Sequence, residues 1–157
     1  MDKFKIIQDT REQKPFIFPD DECYSEVIVA KLDTGDYAID GLQQFIAIDR
    51  KGSIGELAGN ISESRFKDVL QRMSEAKYKF LVLEFDLQNV MQYPVGSNIP
   101  QKIWKDLKIT SNFLLSFIAQ IQVNYGIHVV FAGDHDNASL ITLKILKRIW
   151  KNEHTRS

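Results

Sequence analysis

A chain of 157 residues, 44% hydrophobic and 26% charged, is long enough to bury one proper core and reads as a single domain over 1–157. A formal charge of −1 excludes the strongly basic composition of a protein that grips nucleic acid over its whole surface. No apolar run is long enough for a membrane span, Met1–Lys5 starts no signal-peptide core, and the single Cys23 excludes an internal disulfide, so a cytoplasmic setting is expected.

Taken in order, Phe4–Gln8 reads as a strand ending at Asp9, and Pro15 keeps the polar stretch Thr10–Pro15 from being helical. Asp20-Asp21-Glu22 reads as a solvated turn, Glu26–Leu32 as a second strand, and Asp33-Thr34-Gly35 as a turn into Asp36. Tyr37–Ile39 is strand-like, with Tyr37 a core or wall aromatic. A turn at Asp40-Gly41 is expected to fold it back onto Phe45–Lys51, whose period-two alternation marks a strand. On that strand Asp49 and Lys51 share a face, and the hairpin brings Asp36 beside them. Two carboxylates are what a hard divalent cation commonly takes from a protein, leaving its other positions to water and phosphate oxygens. The lysine can position or deprotonate the attacking water, or offset charge on the phosphate. The spacing alone also fits an exposed ion pair at a strand end.

Ser53 and Glu56 fit a capping box, which competes with a site role for Glu56. Ser62 or Ser64 is expected to open a helix with Phe66, Val69, Leu70 and Met73 on one side. Arg65 and Arg72 share another face of it, as candidate DNA-backbone contacts or a solvated surface. Tyr78–Phe85 is the most apolar strand and is expected to be central, with Glu84 near its end either facing the site or buried and satisfied. Gln88–Asn98 contains Pro94 and Gly96 and reads as a mobile connection. Pro100–Tyr125 has helical spacing with a break near Thr110–Asn112. Along it Lys102, Lys105 and Lys108 could track a phosphate backbone or merely solubilise a surface. Ile127–Ala132 is expected to be another buried strand, with His128 a core or edge histidine. Gly133–Asn137 reads as a solvated loop capping a last helix, Ala138–Lys151, and not as a metal cluster. Asn152 onward reads as a frayed tail.

Residues 1–63 carry thirteen Asp/Glu against seven Lys/Arg, and residues 64–157 carry eight against thirteen. An acidic half beside a basic half suits a metal-dependent enzyme acting on a polyanion, although uneven charge is also common in small domains. Early strands with interposed helices describe an α/β sandwich with a mixed central sheet and helices on both faces.

Ile6–Glu12, Leu32–Tyr37 and Ile48–Lys51 carry Asp9-Thr10-Arg11-Glu12, then Gly35-Asp36-Tyr37, then Asp49-Arg50-Lys51. This series resembles the XPF-type nuclease domain, whose pattern is Asp-x-Arg-Glu, Gly-Asp-Tyr, then Glu-Arg-Lys-x-x-x-Asp. It is most similar to the small stand-alone versions of bacteria and their phages, in which a segment like Gly52–Gly59 follows the lysine. The resemblance continues through Ser64-Arg65-Phe66 and more weakly to about Trp150. Two positions depart from it. Asp49 stands where the family has Glu, and the family's last Asp falls on Gly55, with Glu56 the candidate substitute.

The resemblance implies a restriction-endonuclease-like, three-layer α/β/α fold with a mixed central sheet, within the PD-(D/E)xK superfamily. It also implies a Mg²⁺- or Mn²⁺-dependent DNA endonuclease that nicks branched or flap DNA in repair, recombination or replication, leaving 5′-phosphate and 3′-hydroxyl ends. Asp36, Asp49 and the Arg50 backbone carbonyl would bind the metal, with Asp9 as an auxiliary ligand and Lys51 aiding the nucleophile. Arg11 would contact phosphate or brace the acidic cluster, with Glu12 and Arg50 in support. The tandem helix–hairpin–helix domain that grips junctions does not occur in this sequence, so a homodimer or a DNA-binding partner protein is expected, with 113–121 and 140–150 as contact stretches. A catalytically silent DNA-binding subunit, or a junction resolvase or restriction-type nuclease of the same fold, are the alternatives. Silent members usually lose the acidic residues and the lysine, whereas Asp9, Asp36, Asp49 and Lys51 are all present.

Overall fold

The computed structural model describes residues 2–155. Its strands are Phe4–Gln8 (β1), Tyr24–Val29 (β2), Tyr37–Ile39 (β3), Ile46–Lys51 (β4), Tyr78–Leu83 (β5) and His128–Phe131 (β6). Its helices are Ile54–Ile61 (α1), Ser64–Ser74 (α2), Leu87–Met91 (α3), Ser111–Tyr125 (α4) and His135–His154 (α5), with short 3-10 turns at Gln43–Phe45 and Gln101–Asp106. The strands form one sheet in the order β2-β1-β3-β4-β5-β6. β3 pairs antiparallel with β1 and β4, whereas β2 with β1, and β4 with β5 and β6, run parallel. The expected mixed sheet is therefore present.

Alternation along the strands divides two cores. Ala47, Leu81 and Leu83 face α1, α2 and α4 with Leu57, Phe66, Leu70, Leu114 and Ile121. Ile46, Ile48 and Val82 face α5 with Ala138, Leu143, Leu146 and Ile149, together with Phe16 and Phe18 from the loop after β1. Helices thus cover both faces, as the three-layer reading requires.

Several boundaries differ from the sequence reading. β2 stops at Val29 because the Leu32 N–H leaves the ladder for Asp9 Oδ1, at 2.9 Å. The Ile39–Leu42 turn closes as expected (Leu42 N to Ile39 O, 2.9 Å), but a 3-10 turn precedes β4. Neither Ser62 nor Ser64 caps α2; Glu63 occupies that position without a side-chain bond. β5 lies one strand in from an edge, and β6 is that edge, with His128 exposed. The stretch Gln88–Asn98 is not a bare connection. Asp86 and Asn89 form a reciprocal capping box that starts α3, and Ser97 is buried. Thr110 caps α4 where the break was expected, and α5 runs on through Asn152–His154; Arg156 and Ser157 of the expected tail lie outside the described residues.

Gly55 explains one departure from the family pattern. A Cβ there would stand 2.5 Å from the Ser97 carbonyl oxygen, so no side chain fits between α1 and the 94–99 loop. Ala at a helical position gains about 1 kcal/mol over Gly, but overpacking against backbone costs about 1–3 kcal/mol. Gly55→Ala is therefore expected to destabilise the protein by about 1 kcal/mol, and by about 2 kcal/mol at most, read as a lower urea midpoint; an unchanged midpoint means the loop moves freely.

Candidate active site

β1, β4, β5 and β6 all run in one direction, because β3 is antiparallel to both β1 and β4. Their carboxyl ends therefore open at one edge of the sheet, the usual place for a ligand in an α/β fold. Asp9 follows β1, Arg50 and Lys51 end β4, Glu84 follows β5, and the start of α5 follows β6 at that same edge. Asp36 enters β3 from it.

Asp36 is fastened to β4. Its N–H donates to the Ile48 carbonyl at 2.6 Å, and its Oδ2 accepts from the Arg50 N–H at 2.8 Å. Gly35 makes this approach possible, with φ +85 and an imaginary Cβ 2.9 Å from both Ile48 N and Ile48 O. Asp49 and Lys51 project from the α1/α2 face of β4. Asp49 is 8% exposed, and its Oδ2 lies 3.2 Å from Lys51 Nζ. No directed hydrogen bond reaches that oxygen among the described residues. The ammonium stands 5.0 Å from the centroid of the Phe66 ring.

The electrostatics are strained. Burial, then the charges of Asp49 and Glu12, push the Asp36 carboxyl up from 3.8 to about 9. Burial pulls Lys51 down, but the carboxylates of Asp49, Glu56 and Asp36 more than offset it, so Lys51 stays an ammonium. Two crowded carboxylates, one with a buried oxygen that has only a lysine for company, fit a hard divalent cation. Among the described residues no three His, Cys, Asp or Glu side chains gather around one such point, so the side-chain share of such a site is the two aspartates. The Arg50 carbonyl follows Asp49 directly on β4.

Asp9 is placed differently from its expected ligand role. Its Oδ1 accepts from Leu32 N, and its Oδ2 accepts from Arg11 Nε at 2.8 Å and Arg11 N at 3.3 Å. Burial raises this carboxyl, but the bonds from Arg11 and Leu32 prevail and hold it below its ordinary value. It braces the loop that carries Arg11, whose Nη2 also reaches the Leu32 carbonyl.

On the α5 face, Arg50 is the hub. Its Nε donates to Glu12 Oε2 at 2.6 Å and its Nη1 to Glu84 Oε2 at 2.5 Å, with Phe16 packed 5.4 Å from the guanidinium carbon. Tyr37, expected as a wall aromatic, also donates its hydroxyl to Glu12 and accepts from Phe16 N. Ser53 caps α1, its Oγ accepting from Glu56 N, whereas the Glu56 carboxylate accepts from Gly52 N and not from the Ser53 N–H that a capping box requires.

A cleft of about 840 Å³ opens here, lined among others by Arg11, Lys14, Asn98 and His135. Arg65, Arg72, Lys102 and Lys105 do not line it. Arg65 is exposed and lies 3.7 Å from Glu63, Arg72 borders a separate opening with Lys31 and Gln44, and the two lysines sit on the 3-10 turn. Reading the sequence missed His135, set aside as part of a solvated loop, and left Glu84 undecided. His135 Nδ1 lies 2.6 Å from Glu84 Oε1.

A family model, the ERCC4 domain, matches residues 8–144. The chain belongs to the ERCC4 domain family. Among solved structures it is similar to XPF from Aeropyrum pernix, with TM-score 0.63 and 19% identity over 94% of this chain and 65% of that one. It is equally similar to XPF from Aeropyrum pernix in complex with DNA, at TM-score 0.63 and 19% identity over 96% and 66% of the two chains. The chain thus spans about two thirds of those structures' length. Comparison with curated proteins gives no match. The resemblance and the restriction-endonuclease-like fold expected from the sequence are both borne out. Within this ERCC4 domain, the matched residues take in Asp9, Asp36, Asp49, Lys51 and His135. No helix among the described residues is long and apolar enough to cross a membrane.

Proposed function

We propose that this ERCC4 domain is a divalent-metal-dependent endodeoxyribonuclease that nicks structured DNA. Asp49 carries the reading: a buried carboxylate oxygen without a directed hydrogen bond, beside a charge-crowded Asp36 and an ammonium, is a poor arrangement for stability and a good one for a cation. Asp36, Asp49 and the Arg50 carbonyl would hold Mg²⁺ or Mn²⁺, which would supply Lewis acidity at the scissile phosphate and lower the pKa of the attacking water.

The chain's own groups do the rest. The water oxygen gives up a proton to solvent as it bonds to phosphorus, the bond to the 3′ oxygen breaks, and that oxygen takes up a proton from solvent, leaving 5′-phosphate and 3′-hydroxyl ends. The Lys51 ammonium offsets charge on the phosphate and orients the water. The exposed Arg11 and Lys14 on the cleft rim contact neighbouring phosphates. Asp9 holds Arg11 in place, and the Arg50 N–H holds Asp36. Branched or flap DNA is the substrate class, and a second copy or a DNA-binding partner completes the grip. Most apolar residues of 113–121 and 140–150 are consumed by the two separate cores, but Phe113 and Leu140 remain exposed for such a contact.

The test is cleavage of end-labelled flap, fork, four-way junction and plain duplex DNA with Mg²⁺, Mn²⁺ or EDTA. Nicking of flap or fork that EDTA stops is the expected result. Cutting confined to four-way junctions identifies a resolvase, and DNA binding without cutting in either metal overturns the proposal in favour of a silent subunit.

A further inference from the structure

We infer that His135 is a positioning residue for cleavage, acting through Glu84 and Arg50 on Asp36; the inference rests on the metal-dyad reading above. The contacts close into a ring. Arg50 Nη1 donates to Glu84 Oε2, Glu84 Oε1 faces His135 Nδ1 at 2.6 Å, and His135 Nε2 faces the Pro15 carbonyl at 3.2 Å. The adjoining Phe16 N–H donates to the Tyr37 hydroxyl at 2.7 Å, which donates to Glu12 Oε2 at 3.0 Å, which accepts from Arg50 Nε at 2.6 Å. The Phe16 ring fills the middle, with its centroid 5.3 Å from His135 and 4.8 Å from Tyr37.

Charge and donor bookkeeping make His135 more than packing. The ring holds two carboxylates, Glu12 and Glu84, against one guanidinium, and the Arg50 and Glu84 side chains are only 10% and 7% exposed. Both imidazole nitrogens face atoms that can only accept, a carboxylate and a carbonyl. A ring N–H directed at Glu84 Oε1 gives that oxygen a donor, and the second ring nitrogen lies against the Pro15 carbonyl. Without His135, Glu84 Oε1 loses the ring nitrogen that faces it, and Glu84 is left held by Arg50 Nη1 through its other oxygen. The backbone N–H of this same Arg50 holds Asp36 Oδ2, so the residue whose side chain the ring anchors is the one whose main chain carries the proposed ligand. His135 is also the ring's opening to solvent, with a side chain 36% exposed at the cleft.

The experiment compares wild type, His135→Ala and His135→Gln in three readouts: single-turnover cleavage, KM for DNA, and the Mn²⁺ concentration giving half-maximal thermal stabilisation. His135→Ala is expected to lower kcat about 10-fold with KM within about two-fold, and to raise the Mn²⁺ midpoint several-fold, in the range of lost outer-shell partners. Added imidazole, admitted through the cleft, is expected to restore part of kcat, and His135→Gln, which keeps one donor for Glu84, to fall between. Folded His135→Ala with wild-type kcat and Mn²⁺ midpoint overturns the inference, as does a loss confined to KM, which marks a direct DNA contact. If His135→Ala does not fold, the same two results in His135→Gln decide. Asp36→Asn is run alongside. If it cuts like wild type the dyad reading falls, whereas an inactive Asp36→Asn beside an unaffected His135→Ala overturns only the present inference.

Discussion

Replacing Lys51 with Ala is expected to slow single-turnover DNA cleavage by about 10²–10⁴-fold while DNA binding stays within about two-fold. The ammonium is held at the carboxyl edge of the sheet by Asp49 and by the Phe66 ring, not by an exposed ion pair that solvent would screen. Its raised pKa makes it a cation before any substrate arrives, so the contribution proposed for it is charge and orientation aimed at the phosphate. Asp49→Ala is expected to cost at least as much, because it removes a proposed metal ligand. The two substitutions separate in EDTA. Lys51→Ala strands the buried Asp49 Oδ2 and is expected to lose about 3 kcal/mol, the scale for breaking a buried pair. Asp49→Ala gives up the same pair but relieves the repulsion on Asp36, and is expected to lose less. Melting curves in EDTA and in Mg²⁺ read this difference. Mg²⁺ should return most of the Lys51→Ala loss without returning its activity. Wild-type cutting by Lys51→Ala would remove the lysine from the mechanism.

What the sequence made legible follows the range of the contacts. Asp36, Asp49 and Lys51 lie within sixteen residues, so the alternation of one strand and one turn sufficed to bring them together. The Arg50–Glu84 and Glu84–His135 contacts span 34 and 51 residues, and exist only because β4, β5 and β6 are parallel neighbours whose ends share an edge. Nothing local in Gly133–Asn137 reveals that alignment. An N-capping Asp134 and a site-facing His135 look alike in sequence, and here both are true. Gly55 illustrates the same limit. Its mismatch with the family pattern was visible, but its cause, the Ser97 carbonyl pressed against α1, is a tertiary contact. The stretch 88–98 was misread for the opposite reason. Pro94 and Gly96 signal a loop, but the Asp86–Asn89 capping spacing just before them is local, readable and decisive for α3. β6 reads as apolar because one side of it packs under α4, and periodicity does not report the missing neighbour at its other side.

Without metal, the protein is expected to become less stable as pH rises from about 5 to 9. Asp36 has a carboxyl at about 9 in the folded chain against 3.8 ordinarily. Between those values the folded state holds a proton that the unfolded state has released. Stability therefore falls with pH, by at most about 1.4 kcal/mol per unit for one such group. The other shifted site groups act outside the window. Asp9, lowered, loses its contribution only in acid below its ordinary range, and Lys51, raised, loses its own only above about pH 10. Asp36→Asn removes the titrating carboxyl and is expected to flatten the slope, melting several degrees above wild type at pH 8 in EDTA while cutting no DNA. A divalent cation held as proposed would displace the proton from Asp36, so the stabilisation by Mg²⁺ should be larger at pH 8 than at pH 5.5. Thermal melts across pH in EDTA and in Mg²⁺, for both proteins, measure all of this. Parallel slopes for wild type and Asp36→Asn would show that Asp36 is ordinarily ionised and the pair uncrowded. A steep wild-type slope that Mg²⁺ abolishes would show that the fold tolerates a destabilising pair of carboxylates because a cation stabilises them at the working pH, the usual trade of stability for function at a site.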